Sequence, residues 1–386
     1  MVKLRPHATH VVLVLLAVTS SVSALDALVG GHAALAAPLG CGDTITVDTT
    51  LDADLLDCPN NGIIIGADDI TLDLNGHMID GDGQLVDPCP EGEFCDAGVF
   101  ADFHDGVTVI NGVVQEFAVG VGVGSARNVR LARLSSSSNM FFGYLFFDVA
   151  HSVLRNSSGN DNIPPDGDGL GLFRSHRIRI VGNSFKRNAL GIHVEDSTNN
   201  LIKGNLIART EEGPGILVEA NRNRMRGNRC RRNGICILVA RGNRNLIARN
   251  RVHGDDDGIA VENGRGNLLI RNRVVETHKS GIYLGLAAPP IGGGSNVVRE
   301  NVVIGSGQDA FRVTKKDDHS LLKQNVARRA GDDGFRVQSR TAKLADNRAI
   351  GNGDLGIQAV EGVIDGGGNR ASGNGDPRQC VNIACS

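Results

Sequence analysis

Short runs of alternating apolar and polar residues recur along most of the chain. One run reads Gly-Ile-x-Val, as at 191–194 and 258–261. A second run places an apolar residue three positions before a recurring Asn, and a third places one two positions after it. Alternation with period two is typical of β-strands that bury one face. The pattern therefore predicts three short strands in each unit and no helix.

The recurring Asn gives the repeat length. From residue 183 onward its steps are 22, 23, 22, 22, 29, 24, 22 and 22 residues, and with Arg133 filling one gap the chain holds 13 units. Helical repeats need 33 residues or more, and the leucine-rich consensus is absent. We expect each unit to close into a coil, with its anchor Asn in a turn, hydrogen-bonded to the coils above and below. The anchors are Asn75, Asn111, Asn156, Asn183, Asn205, Asn228, Asn250, Asn272, Asn301, Asn325, Asn347 and Asn369.

These units, together with the segment Ile63-Ile-Ile-Gly-Ala-Asp-Asp-Ile-Thr-Leu-Asp-Leu-Asn-Gly-His77, resemble secreted right-handed parallel β-helix proteins of the pectate-lyase-like superfamily. The resemblance spans about 45–375 and implies an all-β, single-stranded solenoid of about 13 coils with three short strands per coil. It also implies that the outward face of one sheet forms a polysaccharide-binding groove. Much of this superfamily group is uncharacterised, so the resemblance indicates fold more strongly than activity.

The N-terminus indicates export. Residues 1–24 combine Lys3 and Arg5, an apolar stretch and a small-residue cleavage site, as a signal peptide does. We expect a linker or cap at 25–44, the β-helix at 45–375 and a tail with a cysteine pair at 376–386. No other run approaches the ~20 apolar residues of a membrane span. The protein is therefore expected to be secreted or periplasmic, and a monomer.

Composition narrows the function. The chain has 386 residues, 41% hydrophobic and 22% charged, which excludes a disordered protein. A net charge of −3 argues against a generic nucleic-acid binder. The absence of Trp weakens sugar recognition by stacking, so a groove must rely on charge and hydrogen bonds.

Eight cysteines in an exported chain suggest disulfides. Local spacing favours Cys41–Cys58, Cys89–Cys95 and Cys380–Cys385. For Cys230 and Cys236 a disulfide and a buried free thiol remain equal alternatives, because Cys230 occupies a repeat position otherwise filled by apolar residues.

The Gly-Ile-x-Val strands define the candidate substrate face. The x residue and the residue after Val point outward, and stacking lines them up from coil to coil. The predicted substrate-binding residues on and beside this face are His193, Glu195, Glu219, Glu262, Tyr283 and Lys315.

The candidate catalytic groups lie where turns lead into this face. Asp257, Asp332 and Asp333 are turn acids, and Arg312 and Arg336 should lie one coil apart beside such acids. Neighbouring carboxylates can serve as general acid and base, or bind Ca²⁺ through oxygen ligands. Lyases of uronic-acid polymers need a cation for the carboxylate and a base for the proton. The alternatives are ordinary Asp-Gly turns and a surface salt-bridge ladder.

A second cationic feature lies elsewhere in the repeat. Residues 222–251 contain ten Arg and no acid, and Arg229, Arg251 and Arg273 share one outward position on successive coils. Aligned guanidinium groups suit an anionic polymer. The alternative is a solvated face neutralised by nearby acids.

The sequence thus favours a protein that acts on or binds polysaccharide, as a lyase or hydrolase of an acidic polymer or as a non-catalytic binding or structural β-helix. Copper handling occurs among related periplasmic β-helix proteins that mature nitrous-oxide reductase, but it needs His or Met clusters. Four Met and eleven scattered His argue against it.

Overall fold

The chain folds into an all-β parallel solenoid of about 14 turns, in agreement with the predicted single-stranded right-handed β-helix. The computed structural model describes residues 39–85, 95–162, 167–210, 213–285 and 293–386. The predicted signal peptide lies outside these residues. No helix long and apolar enough to cross a bilayer occurs in the part of the chain that is described.

One side of the solenoid is a 15-stranded parallel sheet, here called sheet A. It contains the Gly-Ile-x-Val runs. Its strands outnumber the 13 units counted from the anchors by two, partly because the Cys380–Val381 strand extends the sheet at its C-terminal end. Its strands are Asp43–Ile45, Ile63–Ile65, Ala97–Asp102, Val119–Gly124, Phe142–Phe147, Asp168–Phe173, Ile192–Glu195, Pro214–Glu219, Ile235–Ala240, Asp257–Glu262, Ile282–Gly285, Phe311–Val313, Phe335–Val337, Ile357–Ala359 and Cys380–Val381.

The other strands form sheet B, which bends at the anchor turns into two rows. The first row is Thr49–Thr50, Thr71–Asp73, Val153–Arg155, Arg179–Val181, Leu201–Lys203, Arg224–Arg226, Leu246–Ala248, Leu268–Ile270, Val297–Arg299, Leu321–Lys323, Lys343–Ala345 and Ile364–Asp365. The second row is Leu55–Cys58, Met78–Gly81, Ser158–Asn160, Ser184–Lys186, Leu206–Ala208, Arg229–Arg231, Arg251–His253, Arg273–Val275, Val302–Ile304, Val326–Arg328, Arg348–Ile350 and Arg370–Ser372. Thr108–Gln115 and Arg130–Ser137 run through both rows, and Gly293–Gly294 pairs separately with Asp317–Asp318.

Apolar side chains at the predicted positions fill the interior. Residues three before and two after the anchors, such as Ile247 and Val252, are almost completely buried. Burial of such columns along the whole rod is the main stabilising contribution, at roughly 25 cal/mol per Å² of apolar surface. The alternation seen in the sequence therefore reports the buried face of every coil.

The anchor asparagines form the predicted ladder. Asn250 is fully buried; its Oδ1 accepts from the backbone N–H of Asn228 at 2.9 Å, and its Nδ2 donates to Oδ1 of Asn272 at 3.0 Å. The same bonds repeat on neighbouring coils. Each buried amide is thus satisfied only by the coil before and the coil after it.

The first coils depart from the prediction by one residue. Asn156 is exposed and takes a left-handed backbone conformation with φ 51°, and Ser157 occupies the ladder position and donates its N–H to Asn183 at 2.9 Å. From Asn183 onward the left-handed residue is the one before the anchor, such as Gly182. Asn therefore serves two different needs in the two parts of the solenoid, a positive φ first and a buried amide later.

The disulfide predictions are confirmed where they can be tested. Cys41–Cys58 and Cys380–Cys385 are bonded, and so are Cys230 and Cys236, which settles that open alternative as a disulfide. Cys95 is disulfide-bonded, and its predicted partner Cys89 lies outside the described residues.

Candidate functional site on the outward face of sheet A

Strand register places His193, Tyr283 and the arginine pair in one column, and Glu195 and Glu219 pair in a parallel column two residues further along their strands. His193 pairs with Leu217, and pairing continues through Leu238 and Ala260 to Tyr283. Tyr283 then pairs with Arg312, and Arg312 with Arg336. Five coil steps separate His193 from Arg312, which is about 24 Å at the usual strand spacing. The face therefore carries two separate polar clusters with an apolar stretch between them.

The first cluster is the Asp–Arg centre, formed by Asp309, Asp332, Asp333, Arg312 and Arg336. One carboxylate oxygen from each acid lies within 4.8 Å of the other two. Arg312 Nη1 lies 3.8 Å from Asp309 Oδ2, and Arg336 Nη1 lies 3.4 Å from Asp332 Oδ2. Two cations and three acids from adjacent coils thus meet at one place.

Backbone hydrogen bonds hold the two inner acids of this centre. Asp309 Oδ1 accepts from the backbone N–H of Asp333 at 3.3 Å, and Asp333 Oδ1 accepts from that of Leu355 at 3.0 Å. The second oxygen of each acid is buried without a hydrogen-bond partner. Behind them, Phe311 and Phe335 stack with ring centroids 4.7 Å apart. Because each Phe precedes an Arg on its strand, this stacking fixes the register of the arginine pair.

Burial controls the protonation of these acids. It raises the pKa of Asp333 to about 7, and the charges of Asp332 and Asp309 add to the increase. Burial also raises the pKa of Asp309, with a further increase from Asp332, while Arg336 and Arg312 oppose it. The centre therefore holds an exchangeable proton near neutral pH.

Access to the centre is unequal. The side chain of Asp332 is 43% exposed and those of Arg312 and Arg336 are 36% and 33% exposed. Asp309 and Asp333 are 1% and 0% exposed. A ligand on this face therefore meets two guanidinium groups and one carboxylate, while the buried acids position those groups.

The other predicted residues of this region lie around the centre. Burial raises the pKa of Asp257, and the charge of Arg312 partly opposes this increase. Burial likewise raises the pKa of Glu262, and the charge of Asp257 adds to it. The Tyr283 ring lies over Gly285, where an added Cβ would be 2.1 Å from the phenol oxygen. Lys315 is exposed just beyond the Phe311–Val313 strand.

The second cluster surrounds His193, which is 7% exposed. Its Nδ1 lies 3.6 Å from Asp168 Oδ2, and its Nε2 lies 3.8 Å from Glu219 Oε2 and 3.9 Å from Glu195 Oε2. Burial alone would lower the pKa of His193, but the three carboxylates raise it to about 9. His193 is therefore an imidazolium at neutral pH and neutralises part of an acidic cluster.

The structure brings together Asp332, Asp333, Arg312 and Arg336, as the sequence predicted, and keeps His193, Glu195 and Glu219 apart from them. The site residues predicted from the sequence include neither Asp309 nor Asp168, although both are acids of the turns that lead into sheet A. A signal for both existed: each precedes a sheet A strand or begins one, at the turn position that Asp257 and Asp333 also occupy. The burial of Asp309 and Asp333 had no sequence signal, because Asp-Gly and Asp-Ala are ordinary turn sequences.

Comparison with solved structures identifies the class of protein. The A-module of mannuronan C-5 epimerase AlgE6 from Azotobacter vinelandii superposes with a TM-score of 0.50 at 14% identity, covering 85% of this chain and 88% of that one. The receptor-binding domain of the siphovirus 9NA tailspike gives 0.53 at 11% identity, covering 88% and 73%. An exopolygalacturonase from Thermotoga maritima gives 0.47 at 13% identity, covering 74% and 82%. At these identities the likeness to the epimerase module and to the tailspike domain defines the fold alone, a right-handed parallel β-helix.

The family follows from the sequence match. Residues 60–229, 159–289 and 231–370 match the family described as periplasmic copper-binding protein (NosD), and the chain belongs to this family. No curated protein matches the sequence significantly. The periplasmic description of the family and the disulfides fit a location outside the cytoplasm.

The family description names copper, so the available donors matter. Within the described ranges, the three acids of the Asp–Arg centre are the one group of three or more His, Cys, Asp or Glu side chains close enough to share an ion. Such an all-oxygen set suits a hard cation such as Ca²⁺, whereas copper prefers imidazole and sulfur. The described cysteines are in disulfides, and Met225 is fully buried in the core. The one such group among the described residues therefore does not fit a copper site.

Proposed function

We propose that this protein acts in the periplasm or outside the cell and cleaves an acidic polysaccharide at the Asp–Arg centre. The observation that carries the proposal is the arginine pair. Arg312 and Arg336 are adjacent in register, partly exposed, and held by Asp309 and Asp332. Two guanidinium groups on one face provide the planar, charged hydrogen bonding that a uronic-acid carboxylate requires.

Unequal access to the acids favours a lyase over a hydrolase. Glycoside hydrolysis uses two carboxyl groups that both reach the scissile bond. At the Asp–Arg centre only Asp332 is accessible, since Asp309 and Asp333 are buried. Elimination needs one base and a cation that stabilises negative charge next to the sugar carboxylate. Asp332 and the arginine pair supply these two functions.

The proposed step is a β-elimination. The Asp332 carboxylate takes the proton from the carbon that bears the sugar carboxylate, while Arg312 and Arg336 stabilise the charge that spreads onto that carboxylate. The electron pair forms a carbon–carbon double bond, and the bond to the leaving glycosidic oxygen breaks. The Tyr283 hydroxyl, one coil from Arg312, is the candidate donor of the proton to that oxygen. The products are an unsaturated sugar end and a shortened chain.

The test measures two products at once. The purified protein is incubated with a panel of uronic-acid polymers, with added Ca²⁺ or with a chelator, and both unsaturated-product absorbance and reducing ends are followed. We expect both signals to rise together. Because proton abstraction and charge stabilisation each contribute at least roughly 10²-fold, Asp332→Asn and Arg336→Gln should each lose about that factor.

Arg348→Gln is the matched control, since Arg348 is exposed on sheet B and should leave turnover unchanged. Reducing ends without absorbance would replace the lyase with a hydrolase. Silence on both signals from folded protein would contradict cleavage and leave a non-catalytic binding protein.

A further inference from the structure

A regular arginine array lies on sheet B, away from the face that carries the Asp–Arg centre. Arg229 pairs in register with Arg251, and Arg251 with Arg273, so three guanidinium groups follow one line along the rod. Neighbouring coils are about 4.8 Å apart. Arg224, Arg226 and Arg231 flank this line on the coil of Arg229. These six residues are called the arginine array.

The array carries uncompensated charge. All six side chains are exposed, and no Asp or Glu of the described residues lies within ion-pair distance of any of them. Other surface arginines do have partners: Arg241 bonds to Glu219 at 2.6 Å, for example. Like charges this close repel one another unless water or a bound anion screens them, and a bound anion removes the repulsion most effectively. The predicted alternative, neutralisation by nearby acids, is therefore not what the described residues show.

The surroundings of the array decide between classes of anionic partner. Residues 200–280 contain no Phe, Tyr or Trp that could stack on bases. Among the residues that the structure describes, the large exposed apolar side chains are Val47, Leu56, Leu85, Phe103 and Ile364. None of them belongs to the array, so it lacks an apolar anchor for a lipid surface. The overall charge of −3 opposes approach to a densely charged nucleic acid. A polymer with one charge per sugar, lying along the rod, fits these conditions.

We propose that the arginine array is a binding site for an acidic polysaccharide chain, separate from the groove on sheet A. Each coil offers one guanidinium group of the central line to the polymer, so successive carboxylate or sulfate groups bind on successive coils. The site holds the protein on its polymer independently of any cleavage. It rests on the array alone and holds even if the Asp–Arg centre is not catalytic.

The test compares two triple variants of equal charge change. Arg229→Gln, Arg251→Gln and Arg273→Gln are combined in one protein, and Arg328→Gln, Arg348→Gln and Arg370→Gln in the other. The control residues are also exposed sheet B arginines without an ion-pair partner among the described residues, and two of them continue the same column. Binding to immobilised polygalacturonate is measured over a range of salt concentrations, with melting curves to verify folding.

We expect the array variant to lose about tenfold or more in affinity and much of its salt dependence, because three charge-assisted contacts disappear together. The control should change far less. Equal losses in both variants would overturn the proposal, since net charge alone would explain them. Stronger array-dependent binding to phosphatidylglycerol vesicles or duplex DNA would overturn polysaccharide as the partner. Cleavage of a short oligomer, measured beside binding, distinguishes failure of this site from failure of the catalytic proposal.

Discussion

Asp255 lies in a second stacked turn, five residues after the anchor Asn250, and is hydrogen-bonded there to Asn233 of the preceding coil. Its Oδ1 accepts from the backbone N–H of Asn233 at 2.9 Å and from the side-chain Nδ2 of Asn233 at 2.6 Å. Its Oδ2 has no hydrogen-bond partner, and the residue is fully buried. Burial raises the pKa of Asp255 from 3.8 to about 7, against hydrogen bonds that lower it.

The sign of the pH dependence follows from this increase. Between pH ~4 and ~7 the folded state keeps the Asp255 proton and the unfolded state loses it, so stability falls as the pH rises through this range. A shift of about three pKa units corresponds to about 4 kcal/mol, an upper value for a single buried site. The side chain of the Asp255→Asn variant cannot ionise, and its neutral NH₂ group replaces the Oδ2 atom that has no hydrogen-bond partner. We expect it to match the wild type at pH 4 and to be up to about 4 kcal/mol more stable at pH 8.

The assay is urea unfolding of both proteins at several pH values. The neighbouring Asp256→Asn is the control with opposite sign: burial raises the pKa of Asp256, but hydrogen bonds from His278 and Lys279 lower it overall. That variant should lose a little stability at neutral pH and none at low pH. A difference between Asp255→Asn and wild type that does not change with pH would refute the reasoning.

Two further predictions concern the ladder and the candidate site. Asn250→Ala leaves the backbone N–H of Asn228 and the carbonyl of Met225 without their buried partners. It should therefore cost about 3–5 kcal/mol in urea unfolding, against less than about 1 kcal/mol for the exposed Asn221→Ala, and similar losses would contradict the ladder's role. Gly285→Ala places a Cβ 2.1 Å from the Tyr283 oxygen and therefore displaces the phenol ring. We expect a clear loss of turnover with only a small decrease in the melting temperature. Unchanged turnover would remove Tyr283 from the proposed mechanism.

Fold and register were predictable because every coil repeats the same pattern of buried and exposed positions. Ile247 and Val252 read as buried from alternation alone, and the spacing of Arg312 and Arg336 gave their pairing directly. The one-residue offset at Asn156 was not predictable. Asn satisfies both a left-handed backbone and a buried ladder, and the sequence does not separate the two uses.

The candidate site was predictable in position but not in access. The turn acids and the arginine pair share neighbouring coils, and this is visible from the repeat. The burial of Asp333 and the carboxylate cluster around His193 depend on side-chain packing across coils. The repeat length specifies which residues are neighbours. The exposed fraction of a side chain depends on the size and orientation of all the side chains packed around it.

The unbroken columns make one coil a unit of length for this protein. Deleting residues 228–249 would join Gly227 to Asn250, remove both partners of the Cys230–Cys236 disulfide, and let Asn205 meet Asn250 as it now meets Asn228. The His193 cluster and the Asp–Arg centre would come closer by one strand spacing, about 4.8 Å. Each would keep its own side chains, and Glu219 would lose its partner Arg241. Duplication or loss of a coil in a gene can thus adjust the separation of two sites along a polymer in fixed steps, while keeping the residues of each site.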